Sequence, residues 1–201
     1  MRPPSAAWRR EVLRGALRAT EVRQSTAWLI QAKSDMKASL KLAGDRTQPE
    51  AYCQVAAKAQ QTVEKSIKAL QCALYHAGLY GSAVGSAHPV SNVASAIRTA
   101  APNWPKELKE NRKKVLTILS DARLKTIKLL DSIVPQYPAH GQLPRRNTEH
   151  PSQDTPGLDT WKAPAERGVF TRSEVDRFLR CAQAIQDVTS KIVTALELAY
   201  P

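Results

Sequence analysis

The chain has 201 residues, 42% of them hydrophobic, which is enough for one domain around a single core. Lysines and arginines total 30 against 18 acidic residues, and the net charge of +12 favours an anionic partner, with nucleic acid or a nucleotide ahead of an acidic protein or a membrane surface. Three cysteines without Cys-x-x-Cys spacing and four scattered histidines argue against a disulfide framework, a metal site or a cofactor.

The N-terminal segment is basic. Residues 1–20 predict a basic arm or a short helix, and residues 21–201 predict one helical domain. No apolar run approaches the roughly 18 residues of a membrane span, and the N-terminus lacks the apolar core of a signal peptide. We therefore expect a cytoplasmic protein that does not contact a membrane.

Two long helices are predicted in the first half of the chain. In the first, residues 21–43, apolar residues recur at helical spacing until Gly44; they are Trp28, Leu29, Ala32, Met36, Leu40 and Leu42. Pro49 opens the second, which stops at Gly78. Its apolar stripe is Tyr52, Ala56, Ala59, Val63, Ile67, Leu70 and Leu74.

The second helix also carries a polar stripe, which consists of Gln54, Lys58, Gln61, Lys65 and Lys68. Two interpretations stay open. The stripe is either a solvated face, on which Glu64 and Lys68 form an i, i+4 pair, or an electrostatic surface beside a phosphate-binding groove.

The second half predicts a short helix at residues 90–100, a third long helix at 105–133 and a last helix after the capping box of Thr171 and Glu174. Residues expected to face inward on the third helix are Leu108, Val115, Leu119, Ala122, Leu130 and Ile133. Its outer face holds eight cations: Lys106, Lys109, Arg112, Lys113, Lys114, Arg123, Lys125 and Lys128. A loop as long as residues 135–171 is usually either functional or disordered. The pattern predicts an all-α, up-and-down four-helix bundle with this loop before the last helix.

Several of these segments resemble the HEPN family (higher eukaryotes and prokaryotes nucleotide-binding domain). Its first-helix motif Trp-Leu-x-x-Ala-x-x-Asp is matched by Trp28, Leu29, Ala32 and Asp35. The second-helix motif is matched by Gln60, Gln61, Glu64, Lys65, Lys68, Ala69 and Leu70, and a turn with His88 follows. The resemblance covers about residues 24–199 and implies a bundle of HEPN type.

What the resemblance implies about function depends on the branch of the family. Many members resemble metal-independent ribonucleases, often toxins paired with a nucleotidyltransferase antitoxin, that use an Arg followed a few residues later by a His. Others carry Arg-Tyr-Pro in that loop and bind nucleotides or partner domains. Here Arg145 and His150 meet the ribonuclease spacing, whereas His150 and Pro151 stand where the other branch has Tyr-Pro, and Ser152 replaces a Tyr that toxins often show.

The ribonuclease interpretation makes Arg145 and His150 catalytic. Histidine can move the protons of the reacting 2′-oxygen and 5′-oxygen, and arginine can hold the phosphate as charge builds. The expected substrate-binding residues are Arg146, Asn147, Lys65, Lys68 and His88. A homodimer, which the resemblance implies, would supply a second histidine.

The alternative is a non-catalytic nucleotide-binding or partner-binding module. In that case His150 packs as the tyrosine ring would, and Arg145 and Arg146 cap carbonyls or pair with Glu149 and Asp154. His88 would then cap or pack at the start of the next helix.

Overall fold

The computed structural model describes the backbone of residues 6–44, 51–133, 152–153, 161–162 and 170–200, and the side chains of residues 24–44, 51–133 and 170–200. The helices are α1 (Ala6–Gly44), α2 (Ala51–His76), α3 (Ser91–Ala100), α4 (Lys109–Ile118), α5 (Asp121–Asp131) and α6 (Arg172–Ala199). Two single-turn 3-10 helices, Ala101–Asn103 and Lys106–Leu108, precede α4, and strands β1 (Ser152–Gln153) and β2 (Trp161–Lys162) form one antiparallel pair. The predicted all-α bundle is confirmed. None of the described helices is both long and apolar enough to cross a bilayer.

Helix α2 is the central element of the bundle. It packs against α1, α3, α5 and α6, and 19 of its 26 residues are buried. The predicted stripe from Ala56 to Leu74 is buried as expected, and only Tyr52 at its start is partly exposed. Gly78, with φ of 71°, ends the helix while the Leu79 amide donates to the Leu74 carbonyl at 2.8 Å. This left-handed residue and the backward hydrogen bond form a Schellman cap.

Helix α1 is one continuous helix of 39 residues. The predicted boundary between residues 20 and 21 is therefore wrong as a helix start. Helix α1 contains no proline, and it tolerates Gly15, the one glycine in its interior, at a cost of about 1 kcal/mol. Two of the apolar positions predicted on this helix, Leu40 and Leu42, are 49% and 37% exposed.

The predicted third helix is broken into α4 and α5. Leu119 and Ser120 interrupt it, because the backbone of Ser120 is extended with ψ of 159°. Ser120 followed by Asp121 is a typical helix start, and this local signal overrides the continuous periodicity. The break also changes which residues face inward. Ala122 is exposed, whereas Ile118 and Ile127 are at most 1% exposed.

Two helix starts are held by carboxylates. The predicted capping box of α6 is confirmed, since the Thr171 hydroxyl accepts from the Glu174 amide at 3.2 Å and the Glu174 carboxylate accepts from the Thr171 amide at 3.1 Å. The start of α3 is held from another helix. Both carboxylate oxygens of Asp131, in the last turn of α5, accept from the Val90 amide at 3.1 Å, and one also accepts from Ser91 at 2.7 Å. These bonds fix α3 and the preceding turn against α5.

Candidate functional site

The residues of the HEPN-like motifs meet at the interface between α1 and α2. Asp35 of α1, whose side chain is 5% exposed, accepts hydrogen bonds from Lys58 at 3.3 Å and from Lys65. Lys58 also donates to Gln61 at 2.9 Å. A nearly buried carboxylate thus neutralises two cations of the predicted polar stripe and ties the two helices together.

A second cluster on α2 surrounds Glu64. Its Oε1 accepts from Lys68 at 2.9 Å, and its Oε2 accepts from Gln60 at 3.2 Å. The side chains of Lys68 and Glu64 are only 6% and 7% exposed. The Lys68 ammonium lies 5.1 Å from the centroid of the Trp28 ring, within the range of a cation–π contact. The predicted Glu64–Lys68 pair is therefore present, but it is buried rather than solvated.

His88 extends this second cluster to the surface. Its Nδ1 lies 3.2 Å from Oε2 of Glu64, while its side chain is 68% exposed. Gln71 holds the same loop by donating to the carbonyls of Ser82, at 3.3 Å, and Ala83, at 2.8 Å. The buried carboxylate of Glu64 therefore orients the exposed imidazole ring of His88.

The predicted site residues thus have different positions. Lys65 and Lys68 use their ammonium groups within the chain, and His88 is accessible. Arg145, Arg146, Asn147 and His150 lie outside the described residues, as does most of the loop of residues 135–171. Within the described part of the chain, the exposed cations that are not engaged in these ion pairs, and can bind a ligand, lie elsewhere.

Four cations line an open groove between α5 and α6. The groove has a volume of about 670 Å³ and is lined by Ala122, Arg123, Lys125, Thr126, Leu129, Arg177, Arg180 and Cys181. None of these eight residues is acidic. Lys125, Arg177 and Arg180 are exposed and therefore accessible to a ligand.

Hydrogen bonding and electrostatics orient the cations of this α5–α6 groove. Arg123 donates to the Thr117 carbonyl at 3.0 Å, near the end of α4, and the Arg177 guanidinium lies 5.7 Å from the centroid of the Phe178 ring. Burial raises the pKa of the Cys181 thiol to about 11, although the charges of Arg123 and Arg177 both act to lower it. Both arginines therefore project positive potential onto the same point of the groove wall.

One acidic residue beside the groove, Asp121, is paired with another helix. Asp121 precedes Ala122 and is bonded to Arg98 of α3, and this hydrogen bond lowers the pKa of its carboxyl. Lys109, Lys113 and Lys114 of α4 are also exposed. The groove therefore suits an anion with several charges better than a neutral ligand.

Comparison of the chain with protein-family models, with curated proteins and with solved structures finds no match. Its family stays a proposal. Function must therefore be argued from the side chains themselves.

The sequence predicts only half of the α5–α6 groove. Arg123 and Lys125 belong to the basic face predicted for the third helix, whereas Arg177 and Arg180 are not among the predicted site residues. Their i, i+3 spacing places both on one face of α6, and this was the available signal. The sequence does not reveal that this face lies beside α5.

Proposed function

We propose that the protein binds RNA through the α5–α6 groove and is a cytoplasmic HEPN-type RNA-binding protein. The observation that supports this is the convergence of Arg123, Lys125, Arg177 and Arg180 on a groove without an acidic lining residue. Arginine suits phosphate because its planar group can donate two parallel hydrogen bonds to phosphate oxygens.

The shape of the groove favours a polyanion over a small nucleotide. It is an open trough, and its α5 wall from Ala122 to Leu129 extends about 10 Å by helical rise. Cations stand on both walls, so that successive phosphates of one strand can be neutralised.

Cleavage is the finer part of the proposal. Residues 132–171 connect the two helices that line the groove, and this segment carries Arg145 and His150. RNA held along α5 and α6 would thus be bound by the helices at both ends of that connection. Connectivity therefore supports a role for this loop in acting on bound RNA.

The cleavage chemistry needs no metal. The 2′-oxygen attacks the adjacent phosphorus as it loses its proton, and the bond to the 5′-oxygen breaks as that oxygen gains one. His150 serves as the base or the acid, and Arg145 stabilises the charge on the phosphorane oxygens. Arg146 and Asn147 hold the phosphate. A homodimer supplies the second histidine, and a nucleotidyltransferase acting as antitoxin is the proposed partner.

The experiment measures binding and cleavage of labelled single-stranded and hairpin RNA in EDTA. Wild-type protein should bind and cleave, and His150→Ala should bind with unchanged affinity and not cleave. The double variant Arg177→Ala/Arg180→Ala should bind roughly tenfold more weakly, while Lys33→Ala/Lys37→Ala, which loses the same charge elsewhere, should bind much like wild type.

Each outcome separates the two branches of the proposal. Binding without cleavage by wild type would contradict the ribonuclease and favour the non-catalytic module, for which titration with ATP and GTP is the next measurement. Equal cleavage by wild type and His150→Ala would contradict cleavage through His150. Equal losses for the two double variants would instead show that net charge, and not the groove, binds RNA.

A further inference from the structure

A second groove lies between α1 and α6. It has a volume of about 530 Å³ and is lined by Lys33, Met36, Lys37, Leu40, Gln183, Gln186, Asp187, Ser190 and Lys191. On α6 these residues recur at steps of three and four, so they form one helical face. From Lys33 to Leu40 the groove extends about 10 Å, or two turns of helix.

The α1 side of this groove presents apolar surface to solvent. Leu40 is 49% exposed, and Met36, which is 3% exposed, lies beneath it in the lining. Ile30, on the same face of α1 as Lys33 and Lys37 by helical spacing, is 65% exposed. Covering Leu40, and Ile30 one turn before Lys33, would remove apolar surface from water.

The polar side chains of the opposite wall are held in place by hydrogen bonds along α6. Gln183 donates to Asp187 at 2.8 Å, and Gln186, which is 6% exposed, donates to Ser190 at 3.0 Å. These bonds fix the wall before a partner arrives, which reduces the side-chain entropy lost on binding.

The charged rim is predominantly positive. Lys33, Lys37 and Lys191 are exposed around the groove and face a single carboxylate, Asp187. We propose that the α1–α6 groove docks an acidic amphipathic helix of another protein. Leucine-like anchors of that helix would cover Leu40, and its carboxylates would meet the three lysines.

The lining favours a protein segment over RNA. It contains no arginine, and its exposed apolar side chain, Leu40, gains nothing from a sugar-phosphate backbone. In the α5–α6 groove, by contrast, three of four cations are arginines and no lining residue is acidic. The two grooves therefore differ in the chemistry of the partner they fit.

The probe is a synthetic helical peptide of about 18 residues with leucines at i, i+4 and i+7 and glutamates beside them. Its binding is measured by fluorescence anisotropy against a peptide of the same composition in which the leucines are spread around the helix. Leu40→Glu has a matched control in Leu198→Glu, since Leu198 is 80% exposed. Lys37→Glu has one in Lys113→Glu, an equal charge change on α4.

The patterned peptide should bind at least fivefold more tightly than the rearranged one, and Leu40→Glu and Lys37→Glu should each weaken it by roughly fivefold or more. The two control variants should change its affinity by less than about twofold. All four positions are exposed, and thermal unfolding followed by circular dichroism confirms that each variant folds. Equal losses in groove and control variants, or equal binding of both peptides, would overturn the proposal.

Two further measurements test whether the α1–α6 groove binds a second copy of the chain or RNA instead. If Leu40→Glu converts an oligomer to a monomer in sedimentation velocity, the groove binds a second copy of the chain and the proposal fails. It also fails if Leu40→Glu lowers the affinity for labelled RNA. Arg177 and Arg180 lie in the other groove. Peptide binding to the α1–α6 groove can therefore be interpreted even if RNA does not bind to the α5–α6 groove.

Discussion

Lys68 donates to Glu64 at 2.9 Å, and fewer than one-tenth of either side chain is exposed. A buried ion pair gains little net stability, because removing both charges from water costs about as much as their attraction returns. Removing one partner is different, since it leaves the other charge buried without compensation. Without Glu64, Lys68 keeps only the aromatic face of Trp28, whereas without Lys68, Glu64 keeps Gln60 and His88.

Removing one charge should therefore cost more stability than removing both, and a double-mutant cycle at Glu64 and Lys68 tests this. Glu64→Leu should lower the free energy of unfolding by about 3 kcal/mol or more, measured by urea denaturation. The double variant Glu64→Leu/Lys68→Met should recover most of that loss. If the double variant is as unstable as the single one, shape rather than charge pairing determines the cost.

Asp35 makes a milder prediction. Its partners Lys58 and Lys65 have side chains 35% and 18% exposed, so both ammonium groups can turn toward water when the carboxylate is removed. Asp35→Leu should therefore cost about 1–2 kcal/mol, less than Glu64→Leu in the same urea experiment. The reverse order would mean that the lysines on this face are held as firmly as Lys68.

Asp131 should control the order of α3. Its carboxylate accepts three hydrogen bonds from the amides of Val90 and Ser91, so Asp131→Ala leaves a buried amide unpaired and should cost about 2 kcal/mol. Hydrogen exchange should increase first in Ser91–Ala100. Asp121→Ala is the matched control, because it removes an exposed ion pair to the same helix through Arg98 and should leave the melting temperature nearly unchanged. Equal effects of both variants would contradict the role of Asp131.

Local signals determined which features the sequence could predict. The capping box at Thr171, the stop at Gly78 and the stripe of α2 each depend on residues close in the chain, and all three are confirmed. The burial of Lys68 was not predictable, because an i, i+4 pair has the same spacing whether it is solvated or covered by α1. The α6 side of the α5–α6 groove was not predictable for the same reason, because the packing of Arg177 and Arg180 beside α5 depends on the tertiary structure.

Cys181 predicts a loss of stability in alkaline solution. Burial raises the pKa of its thiol from 9.0 to about 11, so between these values the unfolded chain releases a proton that the folded chain keeps. The stabilising effect is complete below pH 9 and declines as pH rises, by at most about 1.4 kcal/mol per pH unit. Urea unfolding of wild type and Cys181→Ala at pH 8.5 and 10.5 measures this difference. The variant should lose less stability over the interval, and parallel losses would assign the alkaline effect to other groups.

Salt dependence tests whether the α5–α6 groove contacts phosphates. Each lysine or arginine that neutralises a phosphate releases a counterion, so the logarithm of RNA affinity falls linearly with the logarithm of salt concentration. Arg180→Ala and Lys125→Ala should each reduce that slope by about 0.7, the value for a single-strand contact. Lys191→Ala, a lysine of α6 in the other groove, should leave the slope unchanged. If all three variants reduce the slope equally, the affinity for RNA depends on the overall charge of +12 and not on this groove. If Arg180→Ala lowers affinity without altering the slope, its guanidinium contacts a base or orders the groove instead of binding phosphate.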